Sequence, residues 1–162
     1  MSADKVTVYV PVERERAQQL AAGGAPLSAP AYAVTSALRE AHGLTADEDE
    51  DAGFTALTYA GLAALLRAPG PRLVLAADVA ADQVRAAEPD SPFGAVAVSG
   101  LRWDQVLALF ADEPGAADDL TRAHALAGGR GLDEVAEDDR VSDLVDAWDL
   151  LWFAPQELAQ LA

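Results

Sequence analysis

Apolar and polar residues alternate near the start of the chain, where Val6, Val8 and Val10 are separated by Thr7 and Tyr9. This period of two is typical of a strand with one buried face, and it predicts a strand over residues 5–12. Four further apolar runs predict strands over residues 31–34, 72–79, 94–98 and 106–111. The pattern of the last run also fits a buried helical turn, because periodicity cannot decide a run this short.

Apolar residues spaced three and four positions apart predict helices. They cover residues 13–22, 36–42, 54–67, 114–127 and 139 to about 154. The helix over 54–67 has an apolar stripe of Phe54, Leu57, Gly61, Leu62, Leu65 and Leu66. The stripe of the last helix includes Trp148 and Trp152, which we therefore expect in the core, whereas Phe153 departs from it and is expected to be partly exposed.

The order of these elements indicates the fold class. Helices lie between the first three strands, and such helices are typical of crossover connections beside a mixed sheet. We therefore expect a single α/β domain over residues 1–162, with α+β as the alternative. Its expected architecture is a two-layer sandwich, ferredoxin-like in type, with helices packed on a mixed sheet of about four to five strands. No internal repeat is apparent.

Composition and charge narrow the function classes. The chain has 162 residues, no cysteine and a net charge of −16. Without cysteine, a disulfide scaffold, a thiolate zinc site and a cysteine nucleophile are excluded. The charge argues against direct binding to nucleic acid or to an anionic membrane, and it permits a basic protein partner. Solubility or a high-salt host also explains an acidic surface. With no signal-peptide pattern and no membrane-spanning run, we expect a cytoplasmic protein.

Acidic residues are concentrated in two places. The predicted loop 44–53 contains Asp47, Glu48, Asp49, Glu50 and Asp51, and the polar face of the last helix carries Asp139, Asp143 and Asp146. The loop resembles a calcium-binding loop, but Ala52 replaces the required glycine and Thr58 the bidentate glutamate, so no metal is expected. Our leading hypothesis is a non-enzymatic interaction or regulatory protein that binds a basic partner through these carboxylates. Mimicry of nucleic acid, with carboxylates in place of phosphates, is an alternative.

A second alternative is a small enzyme or ligand-binding protein. Asp78 and Asp112 each follow a predicted strand, and carboxylates at strand ends can lie at a ligand crevice or cap the next helix. Arg39 and Arg102 are the candidate anion-binding residues beside them, although each arginine is also expected to have an acidic partner. We expect no cofactor, because the glycines at 128–131 lack the spacing of a phosphate loop and follow a helix rather than a strand.

Several segments together resemble a known family. They are VTVYVPV (6–12), AYAVTSALRE (31–40), LVLAADV (73–79), LRWDQVLALFAD (101–112) and DLLWFAPQEL (149–158). The chain resembles an uncharacterised family of small acidic actinobacterial proteins, from which it departs by Ser36 and Pro155. The resemblance implies an actinobacterial cytoplasm and supplies neither an activity nor catalytic residues.

Overall fold

The computed structural model describes residues 4–87 and 90–161. Within them, the strands are β1 (Lys5–Pro11), β2 (Leu27–Ala33), β3 (Leu73–Ala80), β4 (Val84–Ala86), β5 (Ala95–Leu101), β6 (Val106–Ala111) and β7 (Leu151–Phe153). They form one seven-stranded sheet in the order β4-β5-β2-β1-β3-β6-β7. Every pairing in this sheet is antiparallel.

The α-helices of the described residues are α1 (Arg14–Ala21), α2 (Ser36–His42), α3 (Asp49–Arg67), α4 (Ala117–Ala127), α5 (Leu132–Val135) and α6 (Asp139–Val145). Short 3-10 turns lie at Ala81–Gln83, Trp103–Gln105, Pro114–Ala116 and Pro155–Gln160. The sequence explains the bounds of α2. The Thr35 hydroxyl accepts a hydrogen bond from the Leu38 amide, and Gly43 takes the left-handed conformation that ends the helix.

The two faces of the sheet bury different residues. Val8 and Val10 on β1 belong to the larger core cluster, which also contains Leu20 of α1 and Leu158 of the last 3-10 turn. The intervening Tyr9 belongs to the opposite face and packs with residues of α3. Helices α4, α5 and α6 join α3 in a separate apolar cluster. Helical segments therefore cover both faces of the sheet.

The expected mixed sheet of four to five strands in a ferredoxin-like, two-layer α/β sandwich is wrong. The chain is α+β, with a seven-stranded antiparallel open sheet. The helix between β1 and β2 does not make a parallel crossover, because these neighbouring strands run antiparallel. A helical pattern alone does not say in which direction the next strand returns. Strands β4 and β7, of three residues each, are too short to show alternation.

The last predicted helix is shorter than expected. Helix α6 ends at Val145, and the segment at 151–153 pairs with β6 as an edge strand. Trp152 is 62% exposed, so the prediction that it is a core residue is wrong. Trp148 packs against the cluster of α3, α4 and α6, and its indole nitrogen donates to Asp119 at 2.9 Å. Phe153 is partly buried against the larger core cluster.

The sheet is curled, because two short turns join strands that are far apart in the sheet order. The turns at 81–83 and 103–105 join β3 to β4 and β5 to β6, strands that are four positions apart in the sheet order. In a flat sheet these strands would be separated by about 19 Å, at about 4.8 Å per step. A 3-10 turn of three residues rises only about 6 Å. The sheet must therefore bend until the joined ends approach each other.

The two turns hold each other through a pair of glutamines. Gln105 Nε2 donates to Gln83 Oε1 at 3.0 Å, and Gln83 Nε2 donates to Gln105 Oε1 at 3.4 Å. Each Oε1 also accepts the amide of its own turn, from Ala80 or Arg102. The same three residues, Asp-Gln-Val, occur at 82–84 and at 104–106, so the two turns supply equivalent glutamines.

Candidate functional site

A surface groove lies between α3 and the segment that follows α6, and we call it the α3–α6 groove. Its volume is about 780 Å³. Its apolar and aromatic lining comes from two stretches of chain and consists of Phe54, Leu57, Tyr59, Leu62, Val145, Trp148 and Leu150. Phe54 is 70% exposed, so a large apolar side chain already lies at the open surface of this groove.

Alanines on α3 explain why its larger side chains line the groove. Ala52, Ala56, Ala60 and Ala64 are four residues apart, lie on one helical face and are buried in the clusters beneath α3. Small side chains on this face let the helix lie close to the sheet. Phe54 and neighbouring large residues therefore lie on the remaining faces, where they are available to the groove.

A buried ion pair lies beneath one side of the groove. The Arg72 guanidinium donates to both carboxylate oxygens of Asp112, at 2.9 and 2.8 Å. It also donates to the Trp148 carbonyl at 3.1 Å, which ties the groove wall to β3. A Cβ on Gly61 would lie 3.0 Å from Leu150 and 3.4 Å from Arg72, so glycine leaves room for both side chains.

An aromatic cluster lies on another side of the groove. Tyr59 contacts the rings of His42 and Phe93, with centroids 5.5 and 4.7 Å away. The Tyr59 hydroxyl lies 3.2 Å from His42 Nε2, which in turn lies 3.2 Å from the Pro92 carbonyl. Burial raises the pKa of Tyr59, so this phenol stays protonated at neutral pH. The cluster fixes the position of an aromatic wall.

The charge of the groove is negative. Its charged lining consists of Arg72, Asp146 and Asp149, together with the titratable His42. Because Arg72 is paired with Asp112, its charge is balanced locally. The two aspartates therefore set the sign of the potential at the margin. This combination of an apolar, aromatic floor and an acidic margin suits a ligand with an apolar body and positive groups around it.

A model of a protein family of unknown function, DUF6912, matches residues 6–162. The chain belongs to this family. Membership confirms the resemblance to an uncharacterised family. No curated protein and no solved structure matches the chain.

The acidic run at 47–51 is only partly a loop in the DUF6912 chain. Helix α3 begins at Asp49, so Asp49, Glu50 and Asp51 form its first turn, where carboxylates interact favourably with the helix dipole. Asp47 and Glu48 precede the helix. Glu48 accepts hydrogen bonds from the amide and hydroxyl of Thr45, which lower the pKa of the Glu48 carboxyl.

The second acidic group lies along α6 and just after it. Asp139 and Asp143 are exposed on α6, and Asp146 follows the last residue of that helix. Of the eight acidic residues proposed for partner binding, Asp146 lines the α3–α6 groove. Sequence reasoning missed Asp149 and the apolar lining of the groove. The signal was present in the stripe of α3, because Phe54 belongs to it.

Asp78 and Asp112 do not come together as a catalytic pair. Asp112 is buried beside Arg72 at the start of β3, whereas Asp78 lies six residues further along the same strand and accepts from the Thr7 hydroxyl at 2.6 Å. Six residues of extended strand span about 20 Å. Paired carboxylates of hydrolytic enzymes lie within about 10 Å of each other. The DUF6912 chain therefore does not form the paired-carboxylate site.

Arg39 and Arg102 each form an ion pair with an acidic residue other than Asp78 and Asp112. Arg39 pairs with Asp49 at 2.5 Å and fastens the end of α2 to the start of α3. Arg102 is exposed and pairs with Asp104, two residues along the chain. The prediction that these arginines have acidic partners is confirmed.

Neither a metal-binding group nor a membrane-spanning helix is found among the described residues. Residues 4–87 and 90–161 contain no group of three or more histidine, cysteine, aspartate or glutamate side chains placed to hold a metal ion. Within the same ranges, no helix combines the length and the apolar character needed to cross a bilayer.

Proposed function

We propose that this chain is a non-enzymatic interaction protein whose α3–α6 groove binds a basic partner protein. A single observation carries the proposal: a large groove with an apolar floor opens between carboxylates, with Phe54 70% exposed at its surface. Exposed apolar surface with a polar rim is the usual mark of a protein interaction site.

The side chains of the groove have the chemistry of a protein-binding surface. Trp148 and Tyr59 are of the residue types that contribute most to protein interfaces, because they bury much apolar area with little loss of conformational freedom. Phe54 gains most from a partner, since burying a phenylalanine that is otherwise exposed contributes about 2 kcal/mol.

The charge distribution supports a basic partner. The net charge of −16 gives the whole molecule a negative field, which accelerates encounter with a positive protein. Asp146 and Asp149 concentrate that field at the groove, and the first turn of α3 carries Asp49, Glu50 and Asp51 just before Phe54. The remaining carboxylates proposed for partner binding add long-range attraction. We place this interaction in the cytoplasm of an actinobacterium, in line with the resemblance stated above.

The proposal is tested by affinity capture with matched variants. The chain is immobilised, and proteins retained from a host lysate at low salt are compared for the natural sequence, Phe54→Ser and the pair Asp146→Asn and Asp149→Asn. The control pair is Asp82→Asn and Asp104→Asn, which removes the same charge from the two 3-10 turns outside the groove.

We expect one basic protein to be retained in stoichiometric amount by the natural chain and by the control pair, and to be lost from both groove variants. Equal retention by all variants would mean that binding does not depend on the groove. That result, or the failure to retain any stoichiometric basic protein, would overturn the proposal.

A further inference from the structure

We infer that the segment of the partner that occupies the α3–α6 groove is an amphipathic α-helix, two to three turns long, with lysine or arginine along its flanks. This inference rests on the proposed function and specifies the conformation of the partner. Three features of the groove carry it: the hydrogen-bonding state of its walls, its length along α3, and the position of its carboxylates.

The α3 wall of the groove offers few hydrogen-bond partners to an extended peptide. The α3 wall is continuous helix, whose backbone groups are used internally. The hydroxyls of Thr55 and Thr58 donate to carbonyls one turn earlier in α3, and the Trp148 carbonyl accepts from Arg72. Where an extended segment lies against the α3 wall, its backbone groups would lose water without replacement, at a cost of about 1–3 kcal/mol for each group.

A helix avoids that cost, because its backbone groups are paired before it binds. It presents only side chains to the groove, and the groove floor is made of side chains that can pack with them. Docking of an apolar helical face between two helices is a recurrent mode of peptide recognition. The bound helix would complete a layer with α3 and α6.

The length of the groove fixes the length of the bound segment. Phe54 and Leu62 mark its extent along α3 and are eight residues apart. At 1.5 Å per residue this distance is about 12 Å, which corresponds to two to three turns of a parallel or antiparallel helix. Such a helix places about three anchors in the groove, at positions i, i+4 and i+7.

The carboxylates at the margin specify the flanks of the helix. Asp146 and Asp149 line the groove. Asp51 lies on α3, one helical turn before Thr55, which also lines the groove. Lysine and arginine stems can pack along an apolar surface while their charged groups reach outward to such carboxylates. Acidic flanks would be repelled. The expected segment therefore has apolar residues on one face and basic residues at the two borders of that face.

Three synthetic peptides of equal length test the inference, and the first two have identical composition. Each has about 18 residues of leucine, alanine and lysine, a length at which a free helix can form in water. The first has leucines at helical spacing, the second has leucines in strict alternation, and the third has the helical spacing with two central alanines replaced by proline. Binding is measured by calorimetry and peptide helicity by circular dichroism. The proteins are the natural chain, Phe54→Ser and the control Leu107→Ser, whose leucine is 53% exposed on β6 outside the groove.

We expect the helical peptide to bind the natural chain and Leu107→Ser equally, to gain helicity on binding, and to bind Phe54→Ser roughly tenfold more weakly. The alternating and proline peptides should bind the natural chain roughly tenfold more weakly than the helical peptide. If the alternating peptide binds as tightly and with the same dependence on Phe54, the groove binds a basic segment but the helical conformation is wrong. If none of the peptides distinguishes Phe54→Ser from Leu107→Ser, both the inference and the proposed function are overturned.

Discussion

Arg72 and Asp112 form a bidentate ion pair at the junction of β3 and β6, and the Arg72 amide donates to the same carboxylate at 2.7 Å. The side chains are 5% and 0% exposed, so the pair is withdrawn from water. Since the guanidinium also binds the Trp148 carbonyl, this pair connects the sheet to the wall of the groove. The most deeply buried charges of the described residues therefore have a structural role beside the site.

Removing one partner of this pair should destabilise the protein strongly. We expect Asp112→Ala to lower the free energy of unfolding by about 3–5 kcal/mol, because it leaves the Arg72 charge buried without compensation. The comparison is Asp78→Ala, which removes one exposed hydrogen bond with Thr7 and should cost about 1 kcal/mol. Urea denaturation measures both. Equal losses would contradict the structural role that we assign to the ion pair.

The glutamine pair should show coupling between its two turns. Gln83→Ala and Gln105→Ala each remove the two hydrogen bonds between the glutamines and a bond to a backbone amide, and each should cost about 1–3 kcal/mol. Gln83→Ala also removes the bonds to the Ser99 and Gly100 carbonyls. The double variant should cost less than the sum of the single variants, by about 0.5 kcal/mol or more, because the bonds between the side chains are lost only once. A double-mutant cycle from urea denaturation measures the difference. Strict additivity would mean that the turns do not support each other.

The two tryptophans near the end of the chain should differ in their contribution to stability. Trp148→Ala removes packing against α3, α4 and α6 and a hydrogen bond to Asp119, and should cost about 3 kcal/mol. Trp152→Ala removes a side chain that is 62% exposed and should cost about 0.5 kcal/mol or less. Thermal unfolding of both variants makes the comparison. Similar melting temperatures would contradict the packing of Trp148 in the cluster and the exposure of Trp152.

Acidic pH should lower the stability of the protein by protonating Asp138, the residue that caps the start of α6. Hydrogen bonds from Arg140 and Arg130 hold the pKa of the Asp138 carboxyl far below its ordinary value. Since the folded-state pKa is depressed, this contribution to stability is fully present above the unfolded carboxyl pKa of about 3.9. It is lost as the pH falls below that value towards the folded-state pKa.

Asp138→Asn should therefore be less stable than the natural chain at neutral pH, and the difference should shrink as the pH falls from about 4 towards 2. Melting temperatures across this range measure the effect. Asp139→Asn, which changes the neighbouring exposed carboxylate, is the matched control and should show no such convergence. A difference that is independent of pH would contradict the assignment.

Much of the local structure was predictable from the sequence because it depends on neighbouring residues. The alternation of β1 and the apolar run of β3 gave strands close to their observed bounds. The glycine after His42 marked the end of α2. In each case the pattern within a few residues determines the conformation, so no knowledge of distant parts of the chain is required.

The arrangement of the sheet was not predictable in the same way. The apolar period of α6 continues through Trp152, but pairing with β6 makes residues 151–153 extended. That contact joins segments about forty residues apart, since Trp152 pairs with Phe110. The curl of the sheet is likewise set by two turns that meet only in the folded chain. Local propensity cannot reveal such long-range pairing.

The candidate site was predictable only in part. The carboxylates were visible in the sequence, and Asp146 does line the groove. The stripe containing Phe54 looked like a core face, since apolar residues at helical spacing are usually buried. The alanines at 52, 56, 60 and 64 are the residues that face the sheet, so part of the apparent core stripe is left for the groove.

The indole signals of the labelled protein test the central claim most directly. The chain has three tryptophans, of which Trp148 lines the groove whereas Trp103 and Trp152 lie outside it. On titration with the helical leucine–lysine peptide, we predict that the indole N–H signal of Trp148 and the amide signals of residues 54–62 shift, while the indole signals of Trp103 and Trp152 stay in place. If the amide signals of exposed aspartates and glutamates shift across the surface while the Trp148 indole signal does not change, a binding groove between α3 and α6 would be contradicted.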